Sequence, residues 1–295
     1  RLSAKCGNRL FMERFEEIFG VTQLGVGTRR AIEAIILGLN QVVQDDNADQ
    51  GLHVMLLDFK NAFNLIDRQH LIDRVAEKCP QLLPYVQLAY GKETVMFCKE
   101  GRKIINSTQG CQQGDPLGPA LFALVLQPLL EEAESIIDSH EKDQAPRGPR
   151  HAKIVAYLDD VTLVSHSLEM TAKVLKLFQE KGPALGLHLN LAKSAIHFPL
   201  AAVPQEEVEA TDHPAELSVK GHSSFQLLGG FVSVDKAHIQ EFVDLKVAQC
   251  AEAINSLTAK LENEHQVALL LLRACLGMPK VNGIFRQYHP DVVMQ

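Results

Sequence analysis

Two adjacent carboxylates, Asp159 and Asp160, stand between two short apolar runs at 154–158 and 161–164. Both runs are partly β-branched and free of Pro and Gly, so the stretch reads as a hairpin with the acids at or near its turn. A buried carboxylate is costly unless something positive compensates it, and no Lys or Arg occurs between Lys153 and Lys173. A divalent cation is the natural compensation; a solvated Asp-Asp turn is the competing reading of this stretch alone. A third acid, Asp58, closes the apolar run 52–57, which reads as a buried strand. Strand-end acids are where sites are built, and they are also common turn and helix caps. Neighbouring strand residues face opposite ways, so one acid of the pair is expected to face an ion together with Asp58 while the other supports it from the side. Two or three carboxylates can hold two Mg²⁺ ions about 3.5 to 4 Å apart and clamp both oxygens of a phosphoryl transfer. Mg²⁺ fills the rest of its octahedron with water and phosphate oxygens.

The elements that must position these acids follow from periodicity and punctuation. Residues 8–19 have a helical apolar stripe of Leu10, Phe11, Phe15, Ile18 and Phe19. The stretch 23–28 breaks it, and helical spacing resumes at Ile32, Ile35, Ile36, Leu39 and Val43, with Thr28 as the expected N-cap. Arg29 and Arg30 then fall in the first turn, where the helix dipole disfavours cations, so an anionic neighbour is an attractive reason for them. After the strand ending at Asp58 come a turn at 59–64 and a helix capped by Asp67 that stops at Pro80. Residues 94–107 suit a hairpin around 99–102. The loop 107–119 is dense in glycine, amides and proline, a composition for exposed backbone and close ligand approach. A long helix over 119–139 follows, with Pro128 expected to kink it. A helix over 167–181, strands at 187–190 and 195–198 around Lys193, a loose acidic linker at 204–216 and a hairpin at 225–232 complete the middle of the chain. Residues 236–278 read as two helices joined near Asn263.

Composition narrows the class. At 295 residues with 46% hydrophobic and 22% charged content, the chain can bury a large core. A formal charge of −7 argues against holding nucleic acid by bulk electrostatics, which leaves local basic clusters at Arg29-Arg30, 99–103 and 147–153. No apolar run is long enough to span a membrane, so no membrane partner is expected. Six cysteines without a Cys-x-x-Cys pair point to reduced thiols in an intracellular protein.

Taken in order, Leu57-Asp58-Phe59-Lys60-Asn61-Ala62-Phe63, Gln109-Gly110-Cys111-Gln112-Gln113-Gly114-Asp115-Pro116-Leu117 and Tyr157-Leu158-Asp159-Asp160 resemble motifs A, B and C of reverse transcriptases. Gly186-Leu187-His188-Leu189-Asn190 with Lys193 resembles motif D, and Leu228-Gly229-Gly230 resembles the primer-grip motif E. Within that family the pattern is most similar to enzymes of non-LTR (LINE-type) retrotransposons and their group II intron relatives.

The resemblance implies an α+β right-hand polymerase with an antiparallel-sheet palm, truncated fingers and a helical thumb. It divides the chain into partial fingers at 1–51, palm at 52–235 and thumb at 236–295. It implies an RNA-directed DNA polymerase that uses two Mg²⁺ ions, with Mn²⁺ as a substitute, and takes an RNA template, a DNA primer and deoxynucleoside triphosphates, in the nucleus or cytoplasm. Asp58 and Asp159 would bind both ions and Asp160 would assist. The triphosphate would lie against the backbone at Phe59. Phe63 takes the steric-gate position that blocks a ribose 2′-hydroxyl; its plainer role is packing at the next helix start. Gln113 and Gly114 would line the nascent base pair. Tyr157 would lie near the primer end, or is a core tyrosine. Lys193 would protonate or neutralise departing pyrophosphate, or is a surface lysine. Arg29, Arg30, Gln109, Gly110, Leu228 and Gly229 would meet nucleic acid.

Two departures stand out. Gly118 replaces the serine usual in the family's loop, and only 22 residues precede Gln23, where basic finger strands are expected. The expectation is therefore a polymerase core cut from a longer polyprotein or decayed from one. The alternative function is a catalytically inactive, truncated or domesticated RNA-binding domain. An RNA-dependent RNA polymerase is disfavoured, because such enzymes generally carry an acid at the Phe63 position.

Overall fold

The computed structural model describes residues 2–45, 51–97, 104–143, 152–261, 264–276 and 278–293. The chain forms two compact units: residues 1–29, 53–196 and 203–220 make the first, and residues 30–52, 197–202 and 221–295 the second. The expected turn at 99–102, most of the basic clusters at 99–103 and 147–153, and the joint near Asn263 lie outside the described residues.

The chain begins with α1 (Leu2–Leu10) and α2 (Met12–Phe19), followed by α3 (Ala31–Val43) of the second unit. Where the sequence suggests one helix over 8–19, the chain breaks at Phe11: Phe15 and Phe19 are buried, whereas Leu10 is exposed. Nor does Thr28 cap α3. The chain turns at residues 29–30, and Arg30 occupies the N-cap position in a left-handed conformation (φ 57°) without a side-chain cap, so neither arginine lies in the first helical turn.

The first unit continues with β1 (His53–Leu57), α4 (Ala62–Leu65), α5 (Arg68–Lys78), α6 (Leu83–Tyr90), β2 (Thr94–Phe97), β3 (Ile104–Ser107) and α7 (Gly118–Asp143). Then come β4 (Lys153–Tyr157), β5 (Asp160–Ser165), α8 (Leu168–Lys181), β6 (Ala195–Phe198), α9 (Gln205–Ala210) and β7 (Ser218–Gly221), residues 197–198 and 221 counting with the second unit. The main sheet has the order β4-β5-β1-β6-β7. Strands β1 and β5 pair antiparallel from His53↔Ser165 to Leu57↔Val161, and β4 pairs antiparallel with β5 down to Tyr157↔Asp160. The chain is thus mixed α+β, with antiparallel pairing in the part of the sheet that carries the acids.

Helix α7 is the core of this unit. Its first turns are apolar on every side, and Leu121, Phe122, Ala123, Leu124 and Leu126 are all fully buried, as an all-round hydrophobic helix requires. It packs against α5 and α8. Pro128 sits inside it and lacks the N–H that would bond the carbonyl four residues back. That carbonyl, on Leu124, instead accepts a hydrogen bond from Arg74 Nε of α5 at 3.3 Å. Asp67 caps α5 as expected, accepting from the His70 amide, and the structure adds a cap at Ser167, which accepts from the Met170 amide.

Two expectations are corrected here. The linker 204–216 contains α9, whose first turn carries Glu206 and Glu207 toward the positive end of the helix dipole. Residues 187–190 form no strand; they cross the end of β1 through the bridge Phe59↔Leu189 and two hydrogen bonds, Lys60 N to His188 O and Asn190 N to Asp58 O, both 2.8 Å. So few contacts hold a segment in place without making it a ladder.

The second unit adds to α3 the hairpin β8 (Phe225–Leu227) and β9 (Gly230–Val232), then α10 (Lys236–Lys260), α11 (His265–Leu271), a π-turn (Leu272–Leu276), α12 (Met278–Phe285) and α13 (Pro290–Val293). Buried Asn40 of α3 donates to Phe231 O and accepts from Ser233 N, fastening the hairpin to that helix. The Tyr288 hydroxyl accepts from the Phe231 amide.

Candidate active site

The three acids meet at one end of the sheet. Asp58 follows the last residue of β1, Asp159 lies in the β4–β5 turn and Asp160 opens β5. Continuing the Leu57↔Val161 register by one residue sets Asp58 beside Asp160. The main chain of Asp58 is held on both sides: its amide donates to Ser194 Oγ at 3.1 Å, and its carbonyl accepts from Asn190. Ser194 in turn donates to Asn190 O, so the 190–194 turn braces the strand end.

Burial is the first cause of a raised carboxyl pKa at both Asp159 and Asp160. The charge of Asp58 raises both further, and Asp160, which also feels Asp159, is pushed up to about 6. Among the described residues no Lys or Arg forms an ion pair with any of the three. Nor, among the described residues, do three or more His, Cys, Asp or Glu side chains come together closely enough to hold a metal ion, so an ion here would rest on two carboxylates at most. The donor set is hard carboxylate oxygen at an open strand end. This suits a cation that keeps much of its coordination for water and substrate.

Around the acids, the stretch after Asp58 and the loop 107–117 are locked together. Phe59 is buried against the Phe178 ring, centroids 6.0 Å apart. Phe63 is half-buried and stacks on Phe122 of α7 at 4.4 Å between centroids. Cys111 N donates to Phe63 O at 2.7 Å and Gly110 N to Ile66 O at 2.9 Å. Gly110 has φ 78°, and a Cβ there would fall 2.4 Å from the Asn64 carbonyl oxygen, so packing against α4 demands glycine. With Gly110 buried and both its backbone groups used internally, exposed Gln109 is the member of that pair open to a ligand.

Arg68 was not singled out by the sequence, yet it is the brace of this loop. Its guanidinium donates to Gly110 O (3.0 Å), Ser107 O (2.7 Å) and Ser107 Oγ (2.8 Å), and it lies over the Tyr90 ring. The Tyr90 hydroxyl donates to Asp115 at 2.6 Å, and Asp115 also accepts from Leu117 N at the start of α7. Burial and Asp115 push the Tyr90 phenol well up, and burial raises the Cys111 thiol to about 12, so both stay protonated. The signal that could have found Arg68 is its place one residue after a helix cap and ten after Asp58, with a loop of many carbonyls to come.

The remaining candidates divide by unit. In the first, Gln113 is exposed with its amide 3.5 Å from Asn64 Oδ1, and Gly114 is exposed with φ 83°. Tyr157 is half-buried opposite Asp160, Lys193 is exposed in the turn that braces Asp58, and Arg29 is exposed. Arg30, Leu228 and Gly229 belong to the second unit; the last two form the two-residue β8–β9 turn, both with positive φ.

Comparison with known proteins agrees with the motif order. Residues 2–230 match the family model described as reverse transcriptase (RNA-dependent DNA polymerase). The chain is 26% identical over 124 residues to the Pol polyprotein of the type-1 retrotransposable element R2 of Nasonia vitripennis, covering 41% of this chain and 12% of that protein. It is 28% identical over 190 residues to the 132 kDa protein of the retrotransposable element SLACS of Trypanosoma brucei gambiense, covering 63% and 14%. The chain therefore matches only a small part of these relatives' length. Among solved structures it is similar to telomerase from Candida albicans in complex with a fragment of telomeric RNA (TM-score 0.53, 9% identity, 77% of this chain and 37% of that one). Apo telomerase from Candida tropicalis, truncated from its C-terminal domain, aligns with a TM-score of 0.50 at 12% identity, over 65% of this chain and 40% of that one. The fold is that of a right-hand polymerase, and the chain belongs to the reverse transcriptase (RNA-dependent DNA polymerase) family.

Proposed function

We propose that this chain is the polymerase core of a retrotransposon-type reverse transcriptase, adding deoxynucleotides to a primer 3′ end on an RNA template. The observation that carries this reading is the trio Asp58, Asp159 and Asp160. Three carboxylates share one strand end, two of them electrostatically strained, without a protein cation among the described residues to relieve them. Such strain is tolerated at functional sites because a ligand relieves it. Asp58 and Asp159 would hold two Mg²⁺ ions, or Mn²⁺ in their place, with Asp160 in support. Bound there, the ions supply Lewis-acid stabilisation of the attacking and leaving oxygens.

The chain's own groups do the rest. The backbone at Phe59, bridged to Leu189, offers a fixed edge for the triphosphate. Phe63, held flat against Phe122, is a rigid wall where a 2′-hydroxyl would project, which favours deoxyribose. Gln113 and Gly114 line the base pair from an exposed loop, and Tyr157 lies toward the primer end. Lys193 stands on the turn that grips Asp58, in position to neutralise pyrophosphate. Arg29, Arg30, Gln109 and the Leu228-Gly229 turn contact nucleic acid. Residues 1–51, 52–235 and 236–295 would serve as fingers, palm and thumb.

The test is primer extension on a defined RNA template with Mg²⁺, for wild type and Asp159→Asn. Extension by wild type that disappears in the variant is expected. Extension that survives Asp159→Asn would overturn the metal assignment. No extension by wild type, with RNA binding retained, would favour the inactive RNA-binding reading.

A further inference from the structure

Between Tyr157 and Asp159, Leu158 adopts the left-handed conformation (φ 57°), which a residue with a Cβ rarely takes without outside support. The support comes from far away in the sequence. Gln23 is fully buried, and its side-chain amide meets both backbone groups of Leu158: Oε1 accepts from Leu158 N at 2.8 Å and Nε2 donates to Leu158 O at 3.1 Å. Oε1 also accepts from Gly25 N at 3.1 Å, which fixes the orientation of the amide.

The segment carrying Gln23 is itself anchored. Thr22 O accepts from Ala156 N at 2.6 Å and Leu24 N donates to Ala156 O at 2.7 Å, so residues 22–24 lie along β4 as a short parallel partner. The Thr22 hydroxyl donates to Glu134 of α7 at 2.7 Å. Gly25 also packs closely on this turn: a Cβ there would fall 2.7 Å from both Leu158 N and Leu158 Cγ. Every side chain and backbone group in this arrangement belongs to the first unit.

We propose that Gln23 is a positioning residue for the metal-binding acids. Its amide clamps the Leu158 peptide in the left-handed form and so sets the direction in which Asp159 leaves the turn. The primary amide is suited to this because it alone among side chains of that length offers one donor and one acceptor side by side, matching the C=O and N–H of a single residue. A carboxylate would face the Leu158 carbonyl with a second acceptor, and an apolar side chain would leave both Leu158 groups without these partners. Residues that orient metal ligands from behind typically change affinity by roughly 10- to 100-fold when mutated. The inference rests on the proposed polymerase reading.

The experiment is Mn²⁺ binding to the full chain, followed by electron paramagnetic resonance of the free ion, together with amide hydrogen exchange of the 155–160 turn. Gln23→Met keeps the volume and removes both hydrogen-bonding groups; Gln23→Asn is a second, shorter variant should the first fold poorly. Both should lose roughly tenfold or more in Mn²⁺ affinity and exchange faster at Leu158. A rescue separates this role from general loss of structure. Leu158→Gly relieves the left-handed strain but keeps the N–H and C=O that Gln23 meets, so adding Gln23→Met to Leu158→Gly should still lower Mn²⁺ affinity, by clearly less than it does in the Leu158 chain. Wild-type affinity and protection in Gln23→Met would overturn the clamp, as would a full additional loss in the Leu158→Gly background. If wild type binds Mn²⁺ no better than Asp159→Asn, the metal reading itself fails, and the exchange data still decide whether Gln23 holds the turn.

Discussion

Arg68 Nε donates to the carbonyl oxygen of Gly110 at 3.0 Å, joining the start of α5 to the loop that precedes α7. Two further bonds to Ser107 make one guanidinium the fastening of residues 107–110. Arg68→Met keeps the aliphatic stem but leaves buried carbonyls without a donor. It should cost about 2 to 4 kcal/mol, read as a lower midpoint of urea unfolding at unchanged slope. Arg68→Lys should recover only part of this, since an ammonium cannot reproduce the planar fork.

On the proposed function, the stacking of Phe63 on Phe122 would make sugar selection depend on a residue of the core. Phe63→Ala should raise ribonucleotide use relative to deoxynucleotide use by roughly 10- to 100-fold in kcat/KM, the range over which an apolar wall discriminates a single hydroxyl. Phe122→Leu leaves Phe63 in place without its stacking partner and should shift the same ratio less. Single-nucleotide incorporation with each sugar measures both; an unchanged ratio in Phe63→Ala would remove the gate.

The sign of the pH dependence follows from Asp160. Its carboxyl titrates near 6 in the folded chain against an ordinary value of 3.8, so the native state binds the proton more tightly than the unfolded state does. This contribution therefore favours folding as pH falls from about 6 toward 4, and it is lost as pH rises through the same window. The raised Asp159 adds in the same direction. Without divalent ions, Asp160→Asn should melt higher than wild type at pH 7, and the difference should shrink at pH 4 to 5. The increase should be modest, because the Asp160 side chain is solvent-accessible and water screens it. Mg²⁺ should raise the wild-type melting temperature at pH 7 and act less on Asp159→Asn.

Arg74 and Pro128 form a coupled pair through the Leu124 carbonyl. Arg74→Met should destabilise by about 1 to 3 kcal/mol by leaving that carbonyl unpaired. In a Pro128→Ala background the helix supplies its own N–H, and the same substitution should cost less. A double-mutant cycle by urea unfolding gives the coupling directly.

Much of the local structure was legible before any coordinates. Asp67 reads as a helix cap and is one, because its short oxygen-bearing side chain finds an amide three residues ahead. The hairpins at 154–164 and 225–232 follow from short apolar runs on either side of a turn, and the order of the acids and the Gln-Gly loop was enough to indicate the family. Where the reading failed, a local signal competed with tertiary contacts. Thr28 looks like a cap, but residues 22–24 are bound to β4, and α3 starts only after Arg30 has reversed the chain. Residues 187–190 look like a strand, but among the described residues their one bridge is to Phe59, just past the end of β1.

By itself, the sequence determined which residues could do the chemistry: three carboxylates, an aromatic five residues after the first, and a glycine-rich loop between them. That information lies in residue type and spacing. Only the tertiary structure decided what holds those residues in place. Gln23 acts on Leu158 across 135 positions, Arg68 on Gly110 across 42 and Arg74 on Leu124 across 50. A side-chain donor has no address in the sequence; its partner is whichever backbone group the packing of α5, α7 and the β4–β5 hairpin leaves within reach. The opening pair, Asp159 and Asp160, was readable from composition and spacing, whereas the left-handed turn that aims it became visible only in the fold.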